Sequence, residues 1–118
     1  MRFSLGYITA RPDNRIQWFF DSLQNQMESQ DKIQLIVVDL HKDGRDTSKW
    51  PKGVDHVEPK PTVWQGKSRV TSRDWWAVSN SRNTALCLAT EDYIVWVDDR
   101  CVLMPGWLEA VKLAKLSQ

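Results

Sequence analysis

The feature that most restricts the fold is a nearly continuous apolar run at residues 33–38. The run is short and rich in β-branched residues, which is typical of a strand that is covered on both faces. A second run of this kind occupies residues 93–97. Strands of this type need helices on both sides of a sheet, so the sequence predicts an α/β fold.

The segment before the first run has the pattern of a strand followed by a helix. Residues 3–9 alternate in polarity, which predicts a strand ending near Thr9. A helix capped by Asp13 or Asn14 is expected next, ending near Ser29. Its apolar residues recur at helical spacing and share one face: Ile16, Phe19, Phe20, Leu23 and Met27. A strand, a helix and a buried strand make a βαβ unit, so the sheet is predicted to be mostly parallel.

The rest of the chain is predicted to supply two more helices and a long loop. One helix is expected at residues 74–89 and another from about Pro105 onward. Residues 40–73 are expected to be mostly loop, with a short strand near residues 54–58. Long loops in compact domains are usually functional. The residues of the first of these helices expected to point inward are Val78, Ala85, Leu86 and Ala89.

Length and charge exclude several classes of protein. A chain of 118 residues fits one domain, residues 1–118. The formal net charge is +1, so a general electrostatic attraction to nucleic acid is not available and no nucleic-acid partner is expected. No run is long and apolar enough for a signal peptide or a transmembrane segment, so a cytoplasmic location is expected.

The two cysteines, Cys87 and Cys101, are too few for a disulfide framework or a zinc site. Both lie in apolar surroundings in the sequence, and buried free thiols are expected.

Polar side chains follow three of the predicted strands at the points where the strands end. Thr9, Ala10 and Arg11 follow the first strand, Asp39 follows the second, and Asp98 and Asp99 follow the run at 93–97. In an open parallel sheet, ligands bind outside the carboxyl ends of the strands. These residues are therefore the candidates for a binding site.

The adjacent carboxylates of Asp98 and Asp99 are the sharpest signal. Two such groups repel each other unless a cation compensates them. Hard oxygen ligands suit Mn²⁺ or Mg²⁺, which are often shared with substrate phosphates. The alternative is that Arg100 or Arg82 neutralises the pair, or that Asp98 only caps a turn.

Two further residues have both a binding and a structural interpretation. Asp39 can accept hydrogen bonds from a base or ribose, or it can simply start the turn after its strand. Arg82 offers a rigid donor fork for a diphosphate or for the carboxylates, or it is a surface arginine on an amphipathic helix.

A loop rich in indoles and basic residues lies between these motifs, at Trp64, Lys67, Arg69, Trp75 and Trp76. The indoles can stack on a sugar or a base while the cations approach phosphates. Alternatively, Trp75 and Trp76 pack on the sheet at a helix start and Trp64 holds the loop in place.

Four motifs together resemble glycosyltransferase family 2, the GT-A-fold enzymes that use nucleotide-diphosphate sugars. They lie at residues 35–39, 81–86, 89–99 and 104–108, in the order of the family and at about its spacing. The resemblance implies a Rossmann-like, mostly parallel sheet flanked by helices. Since members continue for about as long again after the acid motif, it also implies that the chain is the N-terminal, donor-binding half of a GT-A domain. The acceptor site and the general base normally lie in the second half.

The resemblance also implies roles for the candidate residues. Thr9, Ala10, Arg11 and Asp39 would hold the nucleoside and Arg82 would lie near the diphosphate. Asp98 and Asp99 would form the DXD-type metal site for Mn²⁺ or Mg²⁺, with Asp99 the direct ligand and Asp98 also near the nucleotide.

The sequence departs from the family pattern at two of these places. No acid follows Asp99, where Arg100 stands instead, and the first strand ends in Thr9, Ala10, Arg11 and Pro12.

The implied activity is transfer of a sugar from a UDP- or GDP-linked donor to an acceptor hydroxyl. The alternative is a non-catalytic nucleotide-binding or interaction module that needs a second half or a partner chain. Because half a domain would leave apolar edges exposed, self-association is also expected.

Overall fold

The computed structural model of the chain describes residues 1–60 and 78–117. Its strands are β1 (Arg2–Thr9), β2 (Lys32–Asp39), β3 (Asp55–Val57) and β4 (Ile94–Asp98). In the described residues these strands form one parallel sheet with the order β3-β2-β1-β4. The predicted α/β class, the parallel sheet and the short strand near residue 56 are confirmed.

Helices cover both faces of the sheet. In the same described ranges they are α1 (Ile16–Gln24), α2 (Val78–Leu88) and α3 (Trp107–Leu116), with a short 3₁₀ turn at Lys42–Gly44. α1 and α3 pack on one face of the sheet and α2 packs on the other. None of the described helices is long and apolar enough to cross a membrane.

The larger part of the core lies between the sheet and α1. Successive residues of a strand point to opposite faces, so Phe3, Leu5 and Tyr7 of β1 all face α1. They meet the fully buried rings of Phe19 and Phe20. The smaller cluster on the α2 face contains Ile8, Ile36, Val38 and Ala85. Burial on both faces explains why β1 and β2 have few polar residues.

The ends of α1 differ from the prediction. The cap is Arg15, in the left-handed conformation at φ 55°, although the Asn14 Oδ1 still accepts a hydrogen bond from the amide of Ile16. The helix ends at Gln24 rather than near Ser29. The chain turns there because the amide of Gln26 joins it to α3: its nitrogen donates to the carbonyls of Leu103 and Met104, and its oxygen accepts from the amide of Leu108.

The inward face of α2 was predicted incorrectly in part. Ala85 is buried as expected, but Val78 and Leu86 are exposed, and Ser81 and Thr84 are the buried residues beside Ala85. Small side chains at these positions allow the helix backbone to lie close to the sheet. The predicted start of this helix lies outside the described residues.

The expectation of two buried thiols is wrong. Cys87 is exposed because it follows Leu86 on the outer side of α2, and Cys101 is partly exposed in the loop after β4.

Candidate functional site

The site lies at the carboxyl edge of the sheet, where β2, β1 and β4 end side by side. Thr9 is the register partner of Asp39 on one side, and Ile8 is the partner of Asp98 on the other. The chain runs from β1 to β2 on one side and later returns to β4 on the other, so the order of the strands reverses at β1. A crevice at such a reversal is the usual ligand site of an open α/β sheet.

Asp99 is held at this crevice by two residues that follow or end β1. The hydroxyl of Thr9 donates to Asp99 Oδ2 at 3.0 Å, and the Arg11 Nε lies 3.3 Å from Oδ1. The Asp99 side chain is largely buried, whereas that of Arg11 is 58% exposed. Among the described residues it is therefore Arg11 that pairs with the acid motif. Arg100 instead donates to the backbone carbonyl of Asp13.

Asp98 leaves β4 on the opposite side from Asp99. As the register partner of Ile8, it lies on the α2 face of the sheet, and it is exposed. Arg82 of α2 is on this face too, with its guanidinium carbon 5.9 Å from the centre of the Trp96 ring. Arg82 and Asp98 therefore border the crevice from one side, and Thr9 and Arg11 border it from the other.

Asp39 is fully buried, and its carboxylate is the most heavily bonded group of the site. Oδ1 accepts from the His41 amide at 2.9 Å and from the Arg45 Nη2 at 2.8 Å. Oδ2 accepts from the Arg45 Nε at 2.8 Å and contacts the His56 Nε2 at 3.0 Å. Burial alone would raise the pKa of Asp39, but the hydrogen bonds from Arg45, His56 and the His41 amide hold it below its ordinary value.

Arg45 also reaches the loop between β1 and α1. It donates to the carbonyl of Arg11 at 2.9 Å and to the carbonyl of Pro12. Its hydrogen bonds to Asp39 raise the pKa of the guanidinium against the opposing effect of burial, so it stays charged. One side chain thus joins the end of β2 to the loop that carries Arg11.

Sequence reasoning missed Arg45 and His56. Arg45 lies in the long segment after β2, where spacing gives no clue to its partner, and His56 lies on the short β3. The one usable signal was Asp39 itself, since a carboxylate buried at a strand end needs a cationic partner. The rings of His56 and Trp50 lie 4.5 Å apart between centroids, which fixes the imidazole beside Asp39.

Ala10, the remaining residue predicted for the nucleoside, takes part through its backbone. Its carbonyl lies 3.0 Å from the His41 Nε2. His41 was expected to be a loop residue, and it is exposed just after β2. The loops after β1 and β2 are therefore joined by His41 as well as by Arg45.

The donor atoms at the crevice suit a hard divalent cation. Asp98, Asp99 and Thr9 offer oxygen ligands, and Mg²⁺ or Mn²⁺ commonly takes one or two carboxylates and completes its shell with phosphate oxygens and water. The positive charge of Arg11 against Asp99 shows that this carboxylate already attracts a cation. Among residues 1–60 and 78–117 there is no group of three His, Cys, Asp or Glu side chains, so an all-protein cage is not formed there.

The indole-rich loop adds nothing to this geometry, because Trp64, Lys67, Arg69, Trp75 and Trp76 lie outside the described residues.

Comparison with known proteins gives one match. The family model described as Glycosyl transferase family 2 matches residues 11–114, which is most of the chain. Searches of the curated proteins and of the solved structures found no significant match.

Proposed function

Since the chain belongs to glycosyltransferase family 2, we propose that the carboxyl edge of its sheet binds the nucleotide diphosphate of a sugar donor. The Rossmann-like arrangement of the sheet and helices agrees with this family. The proposed donor is a UDP- or GDP-linked sugar, which is transferred to an acceptor hydroxyl.

The observation that carries the proposal is the placement of Asp99 at the strand-order reversal, in contact with Thr9 and Arg11. A carboxylate there can hold a cation, and the cation and Arg11 can both meet a diphosphate. The exposed side chain of Arg11 is free to turn from Asp99 to a phosphate oxygen without losing buried contacts. This support is independent of the family match, because it comes from geometry.

The proposed binding roles follow the position of each residue around the crevice. Thr9, Ala10 and Arg11 lie on the β1 side, where the nucleoside is expected. Asp39 shapes that side from β2. Arg82 and Asp98 approach from the α2 face, where the diphosphate is expected to lie.

The proposed cation is Mn²⁺ or Mg²⁺, held by Asp99 with Asp98 nearby; the family typically uses divalent metals. When bound, such a cation neutralises the charge that develops on a diphosphate leaving group. The chain's own residues orient the donor: Thr9 fixes the Asp99 carboxylate, and the Arg11 guanidinium balances negative charge beside it.

The test is calorimetric titration of UDP, GDP, CDP and ADP, with Mn²⁺ and separately with EDTA. It is run on the wild type, on Asp99→Ala and on Asp92→Ala. Asp92 is a matched control because it is an exposed carboxylate at the other end of β4. We expect one nucleotide to bind only with Mn²⁺, with at least about a tenfold loss of affinity in Asp99→Ala, the scale seen when a metal-binding shell is altered.

Equal binding with EDTA, or equal binding by Asp99→Ala, would contradict the metal role. The absence of binding to any nucleotide would contradict the proposed function. Binding without sugar transfer to any acceptor would favour the alternative, a nucleotide-binding module without catalysis.

A further inference from the structure

The Asp39 carboxylate has no acceptor position left for a ligand. A carboxylate offers about four acceptor sites, two on each oxygen. The described residues occupy two on Oδ1, with the His41 amide and Arg45, and two on Oδ2, with Arg45 and His56. A nucleoside would have to displace one of these donors before it could hydrogen-bond to Asp39.

Displacing any of these donors would be unfavourable, since Asp39 is completely buried and the Arg45 side chain is only 10% exposed. The two make a bidentate contact, with both distances 2.8 Å, which is the strongest common form of a charged hydrogen bond. His56 is in turn fixed by the ring of Trp50. The group is therefore complete without a ligand.

The same guanidinium holds the loop after β1. Arg45 donates to the carbonyls of Arg11 and Pro12 while it grips Asp39. We call this set of contacts, from Asp39 through Arg45 to the two carbonyls, the Asp39–Arg45 clamp. Arg11 is the residue whose side chain pairs with Asp99. A continuous line of contacts thus runs from the end of β2 to the acid motif after β4.

We propose that Asp39 is a positioning residue that never touches the nucleoside, and that it acts through Arg45 to place Arg11 beside Asp99 and the diphosphate. This inference rests on the proposed function. It changes the role of Asp39 from reading a base or ribose to setting the phosphate end of the site. Base selectivity then comes from other residues at this edge.

The decisive probe is Mn²⁺-pyrophosphate, which has the diphosphate but neither base nor ribose. Its affinity is measured by calorimetry beside that of the nucleotide found to bind. Asp39→Asn is compared with Arg45→Lys, which keeps the charge but loses the planar fork. Asp43→Asn is the control, because it removes an exposed carboxylate from the same segment after β2.

We expect Asp39→Asn and Arg45→Lys to weaken Mn²⁺-pyrophosphate and the nucleotide by the same factor, about tenfold, as for other changes to groups that orient a metal ligand. The double variant is expected to lose no more than either single variant, since both break one clamp. Asp43→Asn is expected to bind like the wild type. A direct nucleoside contact predicts the opposite pattern, with nucleotide affinity reduced and Mn²⁺-pyrophosphate affinity unchanged, and that result would overturn the proposal. Unchanged affinity for both ligands would overturn it too.

A second measurement needs no ligand and also shows whether the variants are folded. Backbone amide signals are recorded by ¹⁵N NMR for the free protein. The clamp predicts that Asp39→Asn shifts the signals of Arg11 and Asp99 while those of α3 stay in place. If Arg11 and Asp99 do not shift, the clamp does not exist. If they shift but the wild type binds neither Mn²⁺-pyrophosphate nor any nucleotide, the clamp stands and the proposed function fails.

Discussion

Gly6 and Trp96 are register partners on β1 and β4, and the indole lies so close over the glycine that a Cβ at position 6 would be 2.6 Å from a ring carbon. Real side chains do not approach this closely, so the ring can occupy this place only because position 6 has no side chain. The same ring lies under the guanidinium of Arg82. Gly6 thus helps to set the α2 side of the crevice.

Gly6→Ala is expected to lower the free energy of unfolding by about 2 kcal/mol, the usual scale for forcing an extra methyl group into a packed site. It should also push the Trp96 ring outward. The measurement is urea denaturation followed by circular dichroism. Gly44→Ala is the matched control, because a Cβ there meets nothing within 4 Å and its φ is not positive. A loss of stability as large in Gly44→Ala as in Gly6→Ala would contradict the packing argument.

Much of this geometry follows from the sequence. The apolar run of β2 fixed its place inside the sheet, since residues 36–38 suit burial on both faces. Parallel pairing then brought Thr9, Asp39 and Asp98 to one edge without any knowledge of tertiary contacts. The predicted roles of these residues in binding stay predictions, because a fold places backbones and does not name a ligand.

What the sequence could not supply was the choice of partners. Arg11 and Arg100 are equally plausible partners of the acid motif by composition, yet only the loop geometry turns Arg11 to Asp99 and Arg100 to the carbonyl of Asp13. The pairing of Asp39 with Arg45 depends in the same way on how a long segment folds back. The end of α1 was missed because Gln26 forms its hydrogen bonds with residues far along the chain.

Arg11→Ala is expected to separate cation binding from diphosphate binding. The ion pair to Asp99 is an exposed one, so its loss should cost less than about 1 kcal/mol of stability. Without the competing guanidinium, free Mn²⁺ should bind a few-fold more tightly, as measured by electron paramagnetic resonance. The nucleotide diphosphate should bind more weakly, because a cation facing the phosphates is gone.

The control for this change is Arg2→Ala. Arg2 is also an exposed arginine in an ion pair, with Glu91 at 3.2 Å, but it lies at the other end of β1. It should affect neither Mn²⁺ nor nucleotide binding. If Arg11→Ala left both affinities unchanged as well, Arg11 would have no part in the site.

Asp39 predicts a specific dependence of stability on pH. Its pKa is lower in the folded protein than its ordinary value, so the ionised form stabilises the fold. That contribution is complete above the ordinary carboxyl value of about 3.9 and is lost as the pH falls through the lower folded value. At pH 7, Asp39→Asn should cost about 3 kcal/mol, because it removes one partner of a buried charged pair.

The difference between wild type and Asp39→Asn should therefore narrow as the pH falls below about 4, since only the wild type loses this contribution. Urea denaturation at a series of pH values between neutrality and this range measures it. The exposed control Asp43→Asn should differ from wild type by less than about 0.5 kcal/mol at pH 7. A constant difference between wild type and Asp39→Asn at every pH would show that the Asp39 carboxylate is not stabilised in its ionised form.

The divergence of Asp98 and Asp99 predicts that neighbouring, chemically identical substitutions have unequal effects. Asp99 lies in the crevice with Thr9 and Arg11, whereas Asp98 is exposed on the α2 face. Asp99→Asn should abolish the Mn²⁺ dependence of nucleotide binding and weaken it by at least about tenfold. Asp98→Asn should keep the Mn²⁺ dependence and weaken binding only a few-fold, because its carboxylate approaches the nucleotide from the side. Titrations with and without Mn²⁺ on both variants separate the two roles. Equal losses would mean that both carboxylates turn to one cation when the ligand binds, and the division of the site into two sides would then be wrong.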